Sequence, residues 1–218
     1  MSTRKGPNGA GAGVPLVTAA AVAAAFLLLA SGARADRSSV IAATYPEYSL
    51  SPPTTNHIVV CHNFGCAGRT EIGLTAADRH RLAAIMAGGR GSAKAERAAV
   101  GQAGAWFDRR IAHEAGTVNH KARAGGFSVG KAKGQFDCID TSRNTTTLLL
   151  LLDMLKLLHH HSVEEPVARG YLLDGKGPHA TAVLRETHNG TRWSVDAWTR
   201  SYGHSPEIMA LDRWFEER

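Results

Sequence analysis

The chain runs to 218 residues, 44% of them hydrophobic, which is enough for one domain with a proper core. It contains no P-loop and no Gly-rich dinucleotide turn, so no organic cofactor is expected. The formal charge is +6, yet no stripe of basic and aromatic residues accompanies it, which argues against a nucleic-acid partner.

Part of that charge sits in a leader. Residues 1–35 read as a secretory signal peptide: Arg4 and Lys5 without an acid, then the apolar run "VPLVTAAAVAAAFLLLASG", then Ala33-Arg34-Ala35 as an A-x-A cleavage site. The run is just short of the roughly 20 residues a membrane span needs. An uncleaved leader would make it an anchor, the one route to the membrane, and the remainder is exported either way. Without the leader, 183 residues remain, with 22 Lys+Arg against 19 Asp+Glu and a net charge of +3. The expected location is periplasmic or secreted, where thiols tend to pair.

Residues 36–56, "DRSSVIAATYPEYSLSPPTTN", are rich in Pro, Ser and Thr and lack a period, so an extended lead-in is predicted there. Residues 57–218 are expected to form a single domain. "HIVVCHN" (57–63) is a β-branched run, hence a strand, and "TEIGL" (70–74) is its hairpin partner. Between them lies "CHNFGC". Cys61 and Cys66 are close enough to staple one loop. A metal site of Cys61, His62 and Cys66 is the alternative, although no second ligand pair follows at zinc spacing. The cysteine count is odd, so pairing these two leaves Cys138 as a free thiol.

Thr75 and Asp78 open a helix as a capping box, and Gly88-Gly89 ends it. A second helix is predicted over 92–116, with Ala95, Ala98, Ala99, Ala105 and Trp106 as a narrow small-residue face. Residues 117–134 are rich in Gly and Lys and read as a loop. "QFDCIDTSRNTTTLLLLLDMLKLLHHH" (135–161) then reads as a buried, leucine-rich helix with Cys138 at its start. Asp153 and Lys156 rule it out as a membrane span. His159, His160 and His161 are expected to close it, since histidines suit the negative end of a helix. A metal-binding tract is the sharper reading of the same three, but consecutive residues fan around a helix and cannot all face one ion. Three strands follow, over 166–174, 179–187 and 191–199, with Asn189-Gly190 as a hairpin signal. Helices, a central helix and then a meander make the fold α+β.

Cysteine catalysis needs a thiolate, a base to make it and a group to orient the base. At a helix start, Cys138 gains from the partial positive charge there, while Asp137 and Asp140 oppose the thiolate. His179, at the head of the middle strand, is the candidate base. Asp196 alternates with Trp193, Val195 and Ala197 and points to the opposite strand face. An aspartate there needs a partner, and His179 would supply it. The Cys138 N–H and the Gln135 side chain are candidate donors for an oxyanion.

This arrangement resembles the transglutaminase-like group of the papain-like fold, which includes the bacterial transglutaminase-like cysteine proteinases. "DCID" resembles that family's Cys-x-Asp helix start, "PVARGY" its strand after the helix, "HATAVL" its His-headed strand and "RWSVDAW" its Asp-bearing strand. The spacings, 41 residues from Cys138 to His179 and 17 on to Asp196, are compatible with it. The resemblance covers residues 135–198. It implies a Cys-bearing helix packed on an antiparallel sheet, with Cys138 as nucleophile, His179 as base and acid, and Asp196 as orienting group. Thr181 stands where an aromatic residue often follows the histidine.

The expected function is an exported thiol enzyme acting on amide bonds of a peptide or protein in the periplasm or cell envelope. It would work as a peptidase, an amidase or an acyl transferase. A catalytically inactive binding domain of the same fold is the alternative, and a metal-binding protein using the histidines is a third. One geometric condition attaches to the triad. A two-residue turn at Asn189-Gly190 would set His179 opposite Arg200, leaving Asp196 about 13 Å away along its strand. A wider loop or a bulge is therefore predicted.

Overall fold

The structure, a computed structural model, describes residues 1–3, 6, 36–125, 133–170 and 177–217. The chain divides into two units, Met1–Ala33 and Arg34–Arg218. The leader reading lies almost wholly outside the described residues, and every element named here belongs to the second unit. Among the described residues, no helix is long and apolar enough to cross a membrane.

The lead-in is not extended. Asp36 accepts the Ser38 N–H and caps helix α1 (Arg37–Thr44), which a 3-10 turn at Pro46–Tyr48 follows. Val40, Thr44 and Tyr45 are buried. The Tyr45 hydroxyl lies 2.7 Å from Thr147 Oγ1, and Arg143 donates to Thr44 O and pairs with Glu47. Two helical turns are too short to show a period and are stabilised mainly by what they pack on.

Strands β1 (His57–His62) and β2 (Gly68–Gly73) form the expected antiparallel hairpin. Helix α2 (Ala76–Ala87) starts with the Thr75–Asp78 capping box. Helix α3 (Ala93–Ala115) buries Glu96, Ala99, Val100, Ala103, Phe107 and Ile111, while Ala98 is exposed. Of the predicted face, Ala99 and Ala105 are thus buried and Trp106 packs on the core, and Glu96 also turns inward to meet three donors: the His159 and His160 N–H groups and His161 Nδ1.

Helix α4 (Cys138–Met154) lies at the centre, against β1 on one side and the larger sheet on another. Leu148 to Leu152 are all 1% exposed or less, each contributing about 1.5–3 kcal/mol of burial. Its first half is more polar, yet Asp140, Thr141, Ser142, Asn144 and Thr145 are buried too. Asn144 explains part of this: its side chain accepts from Cys61 N and donates to Cys61 O, both at 2.8 Å, pairing with β1 as a strand would.

The histidine run does not close this helix. α4 ends at Met154, the chain turns through Lys156 at φ 57°, and His161 opens the next strand. The Glu96 carboxylate draws the run away from the helix by accepting its amides. The three side chains diverge: His160 Nε2 reaches Arg90 O, His161 reaches Glu96, and His159 is exposed.

The larger sheet is antiparallel throughout, in the order β3 (His161–Arg169), β4 (His179–Glu186), β5 (Arg192–Asp196) and β6 (Glu207–Ala210), and short helix α5 (Leu211–Glu216) follows. β3 begins earlier than the predicted 166–174, part of which lies outside the described residues. Its register shifts between Glu164 and Val167, where Pro166 has no N–H to donate. β6 and α5 have no counterpart in the sequence reading. The whole is an α+β arrangement with a cysteine-bearing helix on an antiparallel sheet.

The loop between β4 and β5 is the wide one. Arg185 pairs with Arg192 and Ala182 with Val195. Gly190 takes φ 76° and its N–H reaches Glu186 O, while Asn189 is not left-handed as a two-residue type I′ turn requires. Continuing this register, Asp196 lies across from Thr181, two residues from His179 and on the same face. Diagonal neighbours of this kind are within reach of long side chains.

Candidate active site

Cys138 is the first residue of α4. Asp137 caps the helix: its carboxylate accepts the Asp140 N–H at 2.8 Å, and Asp140 accepts the Asp137 N–H at 3.2 Å. The segment leading in is tied down as well. Gly134, at φ 74°, donates to Asn63 Oδ1 and passes so close to Gly116 that a Cβ would lie 2.4 Å from its carbonyl oxygen. Phe136 is buried. These ties present Cys138 at a fixed place on the helix start.

The thiol is partly buried and unpaired, as expected. Its sulfur lies 4.0 Å from Pro178 O. The Ala180 N–H also points at it, favouring the thiolate, as does the Cys138 amide. Burial is the largest influence and pushes the thiol up, with the charges of Asp137 and Asp196 acting in the same direction. Cys138 therefore sits against the backbone on both sides of His179, in an environment that keeps it protonated.

His179 is 5% exposed and opens β4. Its Nε2 is 2.5 Å from Asp196 Oδ2. Asp196 also accepts the Trp214 indole N–H at 3.0 Å and the Trp198 backbone N–H at 3.1 Å. Three donors on one buried carboxylate mark it as the charged partner, so Nε2 carries the proton and Nδ1 a lone pair. That Nδ1 is buried and has no hydrogen-bond partner among the described residues. The ring is held between Trp198 and Trp214, with centroids 4.6 and 5.3 Å away.

Gln135 is used differently from the expectation in part. Its side-chain oxygen accepts the Lys121 N–H at 2.8 Å and its carbonyl accepts the Asn63 N–H at 2.9 Å. The side chain thus ties the 117–125 loop to the cysteine segment, and its Nε2 is the group left for donation.

Cys61 and Cys66 are joined as a disulfide. This overturns the metal alternative built on Cys61, His62 and Cys66, because a disulfide offers no thiolate. His62 Nε2 instead meets Thr70 Oγ1 at 3.0 Å. Asp140 lies near both sulfurs, but its oxygens are occupied by the amides of Phe64, Cys66 and Asp137. The donor set does not fit a cation. Burial and the neighbouring Asp137 charge push the Asp140 carboxyl up to about 7, against those three amides.

Two features of the site escaped the sequence reading. Trp214 comes from the C-terminal "LDRWFEER", whose short amphipathic pattern carries no hint of a partner in β5. His120 forms a further pair, with Nε2 2.9 and 3.0 Å from the Asp108 oxygens. It stacks on Phe136 and, with Thr141, Thr145 and Ala197, lines a cavity of about 50 Å³. Thr141 is one helical turn from Cys138. No protein-family model, curated protein or solved structure matches the chain.

Proposed function

We propose that this chain is an exported thiol enzyme acting on amide bonds, on a papain-like/transglutaminase-like core, with Cys138, His179 and Asp196 as its triad. The observation that carries the reading is the bare Nδ1 of His179. A buried acceptor left unsatisfied costs about 1–3 kcal/mol, and such atoms call for a specific explanation. Here the nitrogen belongs to a residue whose two neighbours in the chain flank a free thiol.

The chemistry follows from these positions. Cys138 Sγ attacks the carbonyl carbon as His179 Nδ1 takes the thiol proton, and the carbonyl π electrons move to oxygen. Asp196 holds the Nε2–H and stabilises the imidazolium. Collapse of the adduct re-forms the carbonyl, breaks the C–N bond and sends the Nδ1 proton to the leaving amine. Water or a second amine then releases the acyl group from sulfur. The Cys138 N–H and Gln135 Nε2 are the donors proposed for the oxyanion. Because burial holds the thiol protonated, proton removal accompanies attack rather than preceding it. Signal peptide and disulfide together favour a peptide or protein substrate of the periplasm or cell envelope.

The test is the pH dependence of Cys138 alkylation by iodoacetamide, followed by peptide mass, in the mature protein and in His179→Ala. At neutral pH the variant is expected to react about tenfold more slowly, the scale of a one-unit change in apparent pKa. Superimposable profiles would sink the triad. The same fold would then be read as a binding domain, which the upward push on the thiol already favours as the second reading.

A further inference from the structure

The loop that carries the disulfide is also the part of the molecule that holds the cysteine helix. Four consecutive residues, Asn63, Phe64, Gly65 and Cys66, have φ between 58° and 66°. Only glycine takes that region without steric cost. Three of the four carry side chains, and these are therefore kept there by something outside their own preferences. Two restraints are visible: the Cys61–Cys66 bond, which closes the loop, and a set of hydrogen bonds across it. Phe64 N and Cys66 N donate to the two oxygens of Asp140 at 2.8 and 2.7 Å, and Gly65 N donates to Asp137 Oδ2 at 2.8 Å. Asn63 adds its own N–H to Gln135 O and its side-chain oxygen to Gly134 N. The left-handed run turns successive N–H groups toward one side, forming a concave anion receptor. Its anions are the two carboxylates of the α4 capping box, one on each side of Cys138.

We infer that the Cys61–Cys66 loop is a positioning element for Cys138, acting through Asp137 and Asp140, and that opening the disulfide uncouples Cys138 from His179. The inference rests on the triad reading. Reduction breaks one S–S bond and forms two S–H bonds, with two electrons and two protons from a dithiol that leaves as its own disulfide. The freed residues then relax out of the left-handed region and their N–H groups leave the carboxylates. Asp137 and Asp140 then keep only the N–H that each receives from the other in the capping box, and lose the loop that fixes them at the start of α4. That start is what places the sulfur between Pro178 and Ala180. The chain would thus be active where its disulfide stays closed and quiet in a reducing compartment or before oxidation.

The experiment compares the mature protein before and after tris(2-carboxyethyl)phosphine, removed under nitrogen, with a Cys61→Ser/Cys66→Ser variant as a permanently open form. Two readouts are taken: the pH profile of Cys138 alkylation and amide hydrogen exchange. Opening the loop is expected to lower neutral-pH alkylation about tenfold or more, the scale of a small misplacement of a reacting group. It is also expected to collapse the profile onto that of His179→Ala, with reoxidation restoring both rate and shape. The Phe64, Gly65 and Cys66 amides, and those of the first turn of α4, should exchange faster while the β3–β6 amides stay protected. A closed and an open form with the same Cys138 profile overturn the inference. So does unchanged exchange at Phe64 to Cys66, and this holds even if closed wild type and His179→Ala prove identical. That last result is the separate failure of the triad itself.

Discussion

Among the described residues three buried histidines pair with carboxylates, and two of these pairs, His161–Glu96 and His179–Asp196, differ in one nitrogen. His161 gives Nδ1 to Glu96 at 2.9 Å and has Arg97 Nη1 3.1 Å from Nε2. Both ring atoms are engaged, and Glu96 spends its remaining capacity on the His159 and His160 amides. His179 gives Nε2 to Asp196 and keeps Nδ1 bare among the described residues. The first pair joins α3 to the start of β3 with both ring nitrogens occupied. The second leaves Nδ1 open, on a residue whose chain neighbours flank the Cys138 sulfur. Burial and an acidic partner are common to both, so neither feature identifies a site. What sets the two pairs apart is the open Nδ1 of His179.

The difference can be attacked from either side. The largest effect expected is on the structural pair. Glu96→Ala leaves two amides and His161 Nδ1 without their acceptor in the core and should cost about 3–5 kcal/mol in denaturant unfolding. It should leave Cys138 alkylation per folded molecule unaltered. A stable Glu96→Ala, or one with altered Cys138 chemistry, would break the contrast.

On the other side, Asp196→Asn should cost little stability by comparison. It should slow neutral-pH alkylation of Cys138 by about tenfold, because an amide no longer selects the Nε2–H tautomer. A smaller loss is expected for Trp214→Phe, which keeps the ring on His179 but removes the indole donor to Asp196. About 1 kcal/mol of stability should go, with a rate loss well under that of Asp196→Asn.

Acid should also separate the two regions. The His161 hydrogen bond and the His159 and His160 amides hold the Glu96 carboxyl below its ordinary value of 4.5, against burial. A depressed folded-state value means its contribution is complete above that pH and fades as pH falls through the folded value. Asp140 has the opposite sign. Pushed up to about 7 from an ordinary 3.8, its contribution is complete below 3.8 and is lost as pH rises toward 7. Unfolding midpoints measured from pH 3 to 8 should therefore fall at the acid end in wild type. Asp140→Asn should flatten the limb between about pH 4 and 7 whatever its effect on the overall level. An unchanged slope there would show that the three amides outweigh the burial. The smallest effect is at the rim, where Arg192→Ala removes a half-exposed partner of Glu164 and should change stability by less than about 1 kcal/mol.

Much of this was legible locally. The Thr75–Asp78 capping box, the Cys61–Cys66 staple and the leucine run are signals confined to a few residues, and each holds in the structure. The width of the β4–β5 loop was also foreseeable, since only a shifted register lets His179 and Asp196 meet. The misreadings have a common cause. α1 was hidden because two turns carry no period, and the histidine run was misplaced because Glu96, some 60 residues earlier, captures its amides. In both cases a distant partner decided a local conformation.

The sequence by itself determined which groups were available: an unpaired thiol, a histidine at the head of the middle strand and an aspartate that needed a partner on the next strand. Those follow from residue type, strand alternation and an odd number of cysteines. Only the tertiary structure decided which nitrogen of His179 is free and that Trp214 supports Asp196. It alone decided that the disulfide loop grips the carboxylates on either side of Cys138. These are matters of hydrogen-bond partnership between segments far apart in the chain, and a donor's choice among buried acceptors is settled by packing.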